Sequence, residues 1–95
     1  MAGTKSVEAE PKSELRLRGV YLGARVKVLL AEAKQLEAEA RSVAEQLRAL
    51  GDKRSAEAKV LKARRLYLIT RPAEARAEVA AMQAERKALA AQLKG

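Results

Sequence analysis

The side chains of this chain with chemical capacity are its acids and bases, because histidine and cysteine are both absent. That removes thiolate and imidazole metal sites, disulfides and thiol redox chemistry together. The carboxylates Glu32, Glu37, Glu39, Glu45, Glu74, Glu78 and Glu85 lie near bases at helical spacings, as in Glu14 to Arg18 and Glu37 to Arg41, so solvated ion pairs account for them. Glu74 and Glu78 share a helix face, but no third ligand is at hand to complete a divalent-cation site. No glycine-rich phosphate loop is present, and no nucleophile is placed with a base. The expectation is a non-enzymatic protein with no catalytic residues, no metal and no cofactor.

The bases are another matter. Lys and Arg number 20 against 12 acids, a net charge of +8 on 95 residues. The surplus is concentrated in two blocks. Residues 12–27 carry Lys12, Arg16, Arg18, Arg25 and Lys27 against Glu14 alone, and residues 52–71 carry Lys53, Arg54, Lys59, Lys62, Arg64, Arg65 and Arg71 against Asp52 and Glu57. Lys27, Lys34, Arg41 and Arg48 recur at every seventh residue. On a helix they form a stripe with charges about 10 Å apart, a spacing that suits successive phosphates. Arg18 and Arg25 lie on another flank that continues into Glu32 and Glu39, a sign change expected of coiled-coil edge pairing. Lys59, Lys62 and Arg65 run along one side of the following helix, with Arg64 and Arg71 on another.

These residues, Arg16, Arg18, Arg25, Lys27, Lys34, Arg41, Arg48, Lys53, Arg54, Lys59, Lys62, Arg64, Arg65 and Arg71, are the candidate nucleic-acid contacts. Tyr21 and Tyr67 are the only aromatics, so bases have little to stack on, and contact with the phosphate backbone without sequence specificity is the expected mode. A charged face that merely solubilises an alanine-rich rod is the alternative. Solubility, however, needs charge of either sign, whereas a surplus of one sign in two blocks favours a polyanionic partner.

Helices must position these charges. The chain is rich in Ala, Leu and Val, without Phe or Trp. Leu15, Leu22, Leu29, Leu36, Val43 and Leu50 repeat every seven residues, and Gly19, Val26, Ala33, Ala40 and Leu47 follow four further on, which is a coiled-coil seam. A second seam, Leu17, Tyr21, Ala24, Val28, Ala31, Gln35 and Ala38, runs along the opposite side of the same helix. Gly19 and Gly23 interrupt an otherwise strong helix former, and their closeness points to tight packing.

Boundary signals divide the chain into a flexible tail over residues 1–12 and a single helical domain over 13–95. Ser13 is an N-cap candidate, Gly51 a left-handed C-cap, and Asp52 or Ser55 a cap for the next helix. Pro72 either kinks that helix or starts a third one. The third stretch carries Ala75, Val79, Met82, Leu89 and Leu93 on one stripe and Ala73, Ala77, Ala80, Ala84, Ala88 and Ala91 on the opposite one, while Leu66, Tyr67, Leu68 and Ile69 read as buried on several sides.

The fold expected is all-α: a long helical hairpin or three-helix coiled-coil-like arrangement, with helices about 13–50, 53–69 and 72–94. Two-faced helices in so short a chain call for other copies or helical neighbours to cover the remainder. A compact three-helix bundle with alanine tolerated on its exposed faces is the alternative.

The functional expectation is a structural subunit of a nucleoprotein assembly, either a coat or packaging protein that wraps DNA or a helical protein on ribosomal RNA. The competing class is a coiled-coil adaptor for another helical protein. A basic amphipathic helix at an anionic membrane is weaker, because interfacial Trp and Phe are missing. The N-terminal residues lack the apolar run of a signal or membrane span, so an intracellular, soluble protein is expected.

Overall fold

The computed structural model describes residues 2–94, with side chains from Lys12 onward. Two helices, α1 (Ala2–Ala49) and α2 (Ala56–Lys94), fold into an extended antiparallel hairpin of 77 × 21 × 14 Å. The seam with seven-residue spacing is what closes it. Leu22, Val26, Leu29, Ala33, Val43 and Leu47 are buried, and Leu36 and Ala40 pack at its edge. On α2 the matching seam steps by three and four through Ala58, Leu61, Arg65, Leu68, Pro72, Ala75, Val79, Met82, Arg86, Leu89 and Leu93.

The packed clusters alternate large with small. Val26, Leu29 and Ala33 meet Ala75 and Val79, and nearer the turn Val43 and Leu47 meet Ala58 and Leu68. Small residues let the backbones approach, while the leucines opposite fill the space that remains.

Several expectations are corrected, three of them in the helices themselves. The helices expected at 53–69 and 72–94 are one helix, because α2 continues through a buried Pro72. A proline inside a helix forfeits one hydrogen bond and crowds the carbonyl four residues back, at a cost of about 3 kcal/mol. Here the stretches before and after it must both keep their seam on α1, and a break would rotate one of them out of phase. The helix start expected at Ser13 is not observed either, since the α1 backbone is helical from Ala2; the rest of the tail reading falls on residues 1–11, whose side chains lie outside those described. Finally, of the run Leu66 to Ile69 only Leu68 is buried, at 2% exposure, while Leu66, Tyr67 and Ile69 are exposed.

The reversal occupies Leu50 to Ser55. Gly51 is not left-handed, so the expected glycine C-cap is replaced by side-chain chemistry. The Lys53 ammonium donates to the Leu47 carbonyl, placing a cation at the negative end of α1. Ser55 caps α2, its Oγ accepting from the Ala58 N–H at 3.1 Å while its hydroxyl donates to the Asp52 carbonyl at 3.0 Å.

Gly19 and Gly23 are not sites of close backbone approach. A Cβ at Gly19 would meet open space, and one at Gly23 would touch the Arg86 guanidinium at 3.5 Å. Both border an open groove of about 870 Å³ at the open end of the hairpin, lined by Leu15, Val26, Leu89 and Leu93 among others.

Leu29→Ala is expected to cost about 2–5 kcal/mol in urea unfolding, as for a buried leucine, whereas Val20→Ala at an exposed position of the same helix should change stability by less than about 0.5 kcal/mol. Gly19→Ala should stabilise by up to about 1 kcal/mol in the same assay, because a helical glycine in open space contributes only unfolded-state entropy. A loss at Gly19 would show that its groove is filled.

Candidate nucleic-acid interface

The hairpin has two different long sides, distinguished by the ion pairs that flank its seam. On one side Arg18 pairs with Glu85 at 2.7 Å, Glu32 with Arg71 at 3.3 Å, and Glu39 with Arg64 at 3.9 Å. Each step of seven forward on α1 is matched by seven backward on α2, and the sign of the pair inverts midway. Arg71 also reaches Glu74 at 3.6 Å and Glu78 at 3.8 Å, which makes it the centre of this ladder. Arg18 stacks over the Tyr21 ring, its guanidinium carbon 5.3 Å from the centroid. On this ladder side acids and bases nearly balance.

Among the described side chains the opposite side carries one cross-hairpin pair, Glu37 with Arg76 at 2.7 Å. The Arg76 hydrogen bond holds the Glu37 carboxyl below its ordinary value, as the Arg18 hydrogen bond does for Glu85. Steps of three and four from Glu37 bring Lys27, Lys34, Arg41 and Arg48 onto this side of α1, and the same steps from Arg76 bring Lys59, Lys62, Lys87 and Lys94 onto this side of α2. Two grooves open here. One gathers Arg48, Lys62 and Arg65 beside Lys53, and the other gathers Arg16, Lys27 and Arg86. Arg65 and Arg86 occupy seam positions but emerge at the surface, Arg86 across the space left by Gly23. Among the described side chains Glu37 is the only acid on this basic side, and Lys27, Lys34, Arg41, Arg48, Lys59 and Lys87 take part in no ion pair among them.

The candidate contacts are thereby divided. Arg16, Lys27, Lys34, Arg41, Arg48, Lys59, Lys62 and Arg65 come together on the basic side. Arg18, Arg64 and Arg71 are engaged in the ladder, and Arg25 lies on that same side. Lys53 and Arg54 lie in the turn, where Lys53 caps α1 and the Arg54 N–H donates to Asp52 Oδ1 at 2.9 Å. Sequence reading missed Arg76, Arg86, Lys87 and Lys94. Their signal was present as the shared phase of Lys87 and Lys94 with Lys59, but it acquires meaning only when α2 is one unbroken helix.

Among the described residues no three acidic side chains cluster where a metal ion could be held, and no helix is long and apolar enough to cross a membrane. No known protein family, characterised protein or solved structure matches this chain.

The depressed Glu37 and Glu85 fix a sign for acid sensitivity. Their pairs stabilise the hairpin fully above the ordinary glutamate value of about 4.3 and lose that contribution as pH falls through the lower folded-state values. Thermal unfolding followed by circular dichroism should show a Tm that falls as pH is lowered from about 5 to 3. The fall should be smaller in a Glu37→Gln, Glu85→Gln double variant; an equal fall would assign the acid sensitivity to other carboxylates.

Proposed function

We propose that this protein is a structural nucleic-acid-binding subunit whose basic side lies along the phosphate backbone without reading sequence. The observation that carries this reading is the segregation of charge. A chain that needed charge only for solubility would have no reason to place nearly every unpaired cation on one long side and balance the other. The basic side is a rigid strip formed by both helices, so its charges are held in place before contact, and each phosphate neutralised releases condensed counterions. Without Phe or Trp, and with both tyrosines off this side, the surface offers charge rather than base stacking. Such a surface suits packaging or coating of a polyanion, or a seat on folded RNA.

A second reading, an adaptor for another helical protein, draws on a separate observation: Leu17, Tyr21 and Val28 remain exposed on α1. Exposed apolar residues on an extended hairpin suggest self-association, so they do not require a foreign partner.

Fluorescence anisotropy with labelled duplex DNA and structured RNA, over a salt series, tests the proposal. A surface that meets six to ten phosphates should lose about 10³–10⁵ in affinity between 50 and 200 mM salt. Lys34→Gln with Arg41→Gln, and separately Lys59→Gln with Lys62→Gln, should each flatten the log–log salt slope by roughly two. The ladder-side pair Arg18→Gln with Arg25→Gln removes the same charge and should leave that slope nearly unchanged. Equal effects from both sides would reduce the interaction to net charge, and no binding near physiological salt would leave the adaptor reading.

A further inference from the structure

We propose that identical hairpins associate side by side, the outer face of α1 in one copy docking on the outer face of α2 in the next, to form an open array whose basic sides all point the same way. The two outer faces lie opposite the seam. On α1 the face is the second seam from Leu17 through Tyr21, Val28 and Gln35 to Ala38, with Leu17 at 69%, Tyr21 at 54% and Val28 at 55% exposure. On α2 it is Ala77, Ala81, Ala84, Ala88 and Ala91, all exposed, and it continues toward the turn through Glu74, Thr70, Tyr67 and Val60. None of these positions is a lysine or arginine, in a chain that has 20 of them. The outward positions of an isolated two-helix coil are its most solvated and ordinarily its most charged. A pattern with apolar residues there and cations elsewhere marks these faces as covered.

The occupant is read from size and charge. The ladder pairs on one side and the Glu37–Arg76 pair on the other bracket the register, and the seam cluster of Leu29 and Ala33 with Val79 and Ala75 lies midway between them, so α1 and α2 stand side by side at fixed levels. At those levels Leu17 lies with Ala91, Tyr21 with Ala88, Val28 with Ala81, and Ala31 with Ala77. A copy shifted sideways, with no sliding along its axis, therefore sets the large residues of its α1 against the alanines of the neighbouring α2.

The bases avoid one another in the same arrangement. Lys27 and Lys34 come opposite Ala80 and Ala73, Arg41 opposite Leu66, and Lys87 opposite Val20. Only Arg48 and Lys59, near the turn, are left facing as like charges. A two-fold pairing of α1 on α1 would instead set the large residues against each other and leave the alanine face bare. One lateral contact covers both faces, and because it joins two different surfaces it is not self-limiting.

This inference does not depend on nucleic-acid binding and is tested without it. Sedimentation velocity is run on the nuclease-treated full chain at an ionic strength of about 0.3 M, where the screening length is below ~8 Å and repulsion between copies is reduced. The weight-average mass should climb with concentration above the single-chain 10.3 kDa without stopping at a dimer. A Tyr21→Glu, Val28→Glu variant and an Ala77→Glu, Ala84→Glu variant each spoil one edge. Each should sediment as a single chain with unchanged helicity, and an equimolar mixture should form a species of twice that mass and nothing larger. The proposal is overturned by a wild-type chain that stays at 10.3 kDa, by either variant dimerising alone, or by two folded variants that fail to pair when mixed.

Discussion

Everything in this molecule follows from one register, the alignment of α1 against α2 in which a step of seven along one helix is answered by a step of seven back along the other. The seam sets its phase, because Leu22, Leu29 and Leu68 must be buried and small residues must meet large ones. The ladder selects among alignments of equal phase. Arg18 and Arg25 precede Glu32 and Glu39 on α1, whereas on α2 Arg64 and Arg71 precede Glu78 and Glu85. A slip of two heptads would oppose like charges at several levels. The individual pairs are exposed or half-buried, and solvent screens their attraction. Their weight lies in rejecting alternatives, which is a matter of specificity more than of stability.

That register also sorts the remaining charge. Bases that alternate with acids at the ladder positions are consumed in holding the hairpin. Among the described side chains those at the basic side have no acid to meet except Glu37, and the antiparallel arrangement adds the surplus of α2 to that of α1. The result is a rod with a cationic strip on one side, an ion-paired opposite side and two apolar edges. A polyanion and a neighbouring copy would therefore use different surfaces of the same rod and need not compete.

The cost of the arrangement is visible at particular residues. Pro72 is retained inside α2 although it forgoes a helical hydrogen bond, and Arg65 and Arg86 take seam positions where leucine would pack better. Gly23 gives Arg86 room to reach the surface, and the groove beside it stays open. The packed core is correspondingly thin, with one buried cluster near the middle of the rod and the other next to the turn.

By itself the sequence determined the helical class, the seam from Leu15 to Leu50, the position of the reversal and the second apolar face of α1. These are local or strictly periodic properties, and spacing along one helix carries them in full. It also showed the sign change from Arg18 and Arg25 to Glu32 and Glu39 that marks edge pairing. Only the tertiary structure decided that Pro72 lies within a continuous helix, because that outcome depends on both halves of α2 sharing one seam partner. Likewise, whether Arg64 is a free cation or half of an ion pair depends on Glu39, which is distant in sequence and adjacent only after folding. The two basic blocks are a feature of the linear chain, while the single basic side exists only when the two helices lie antiparallel in one register.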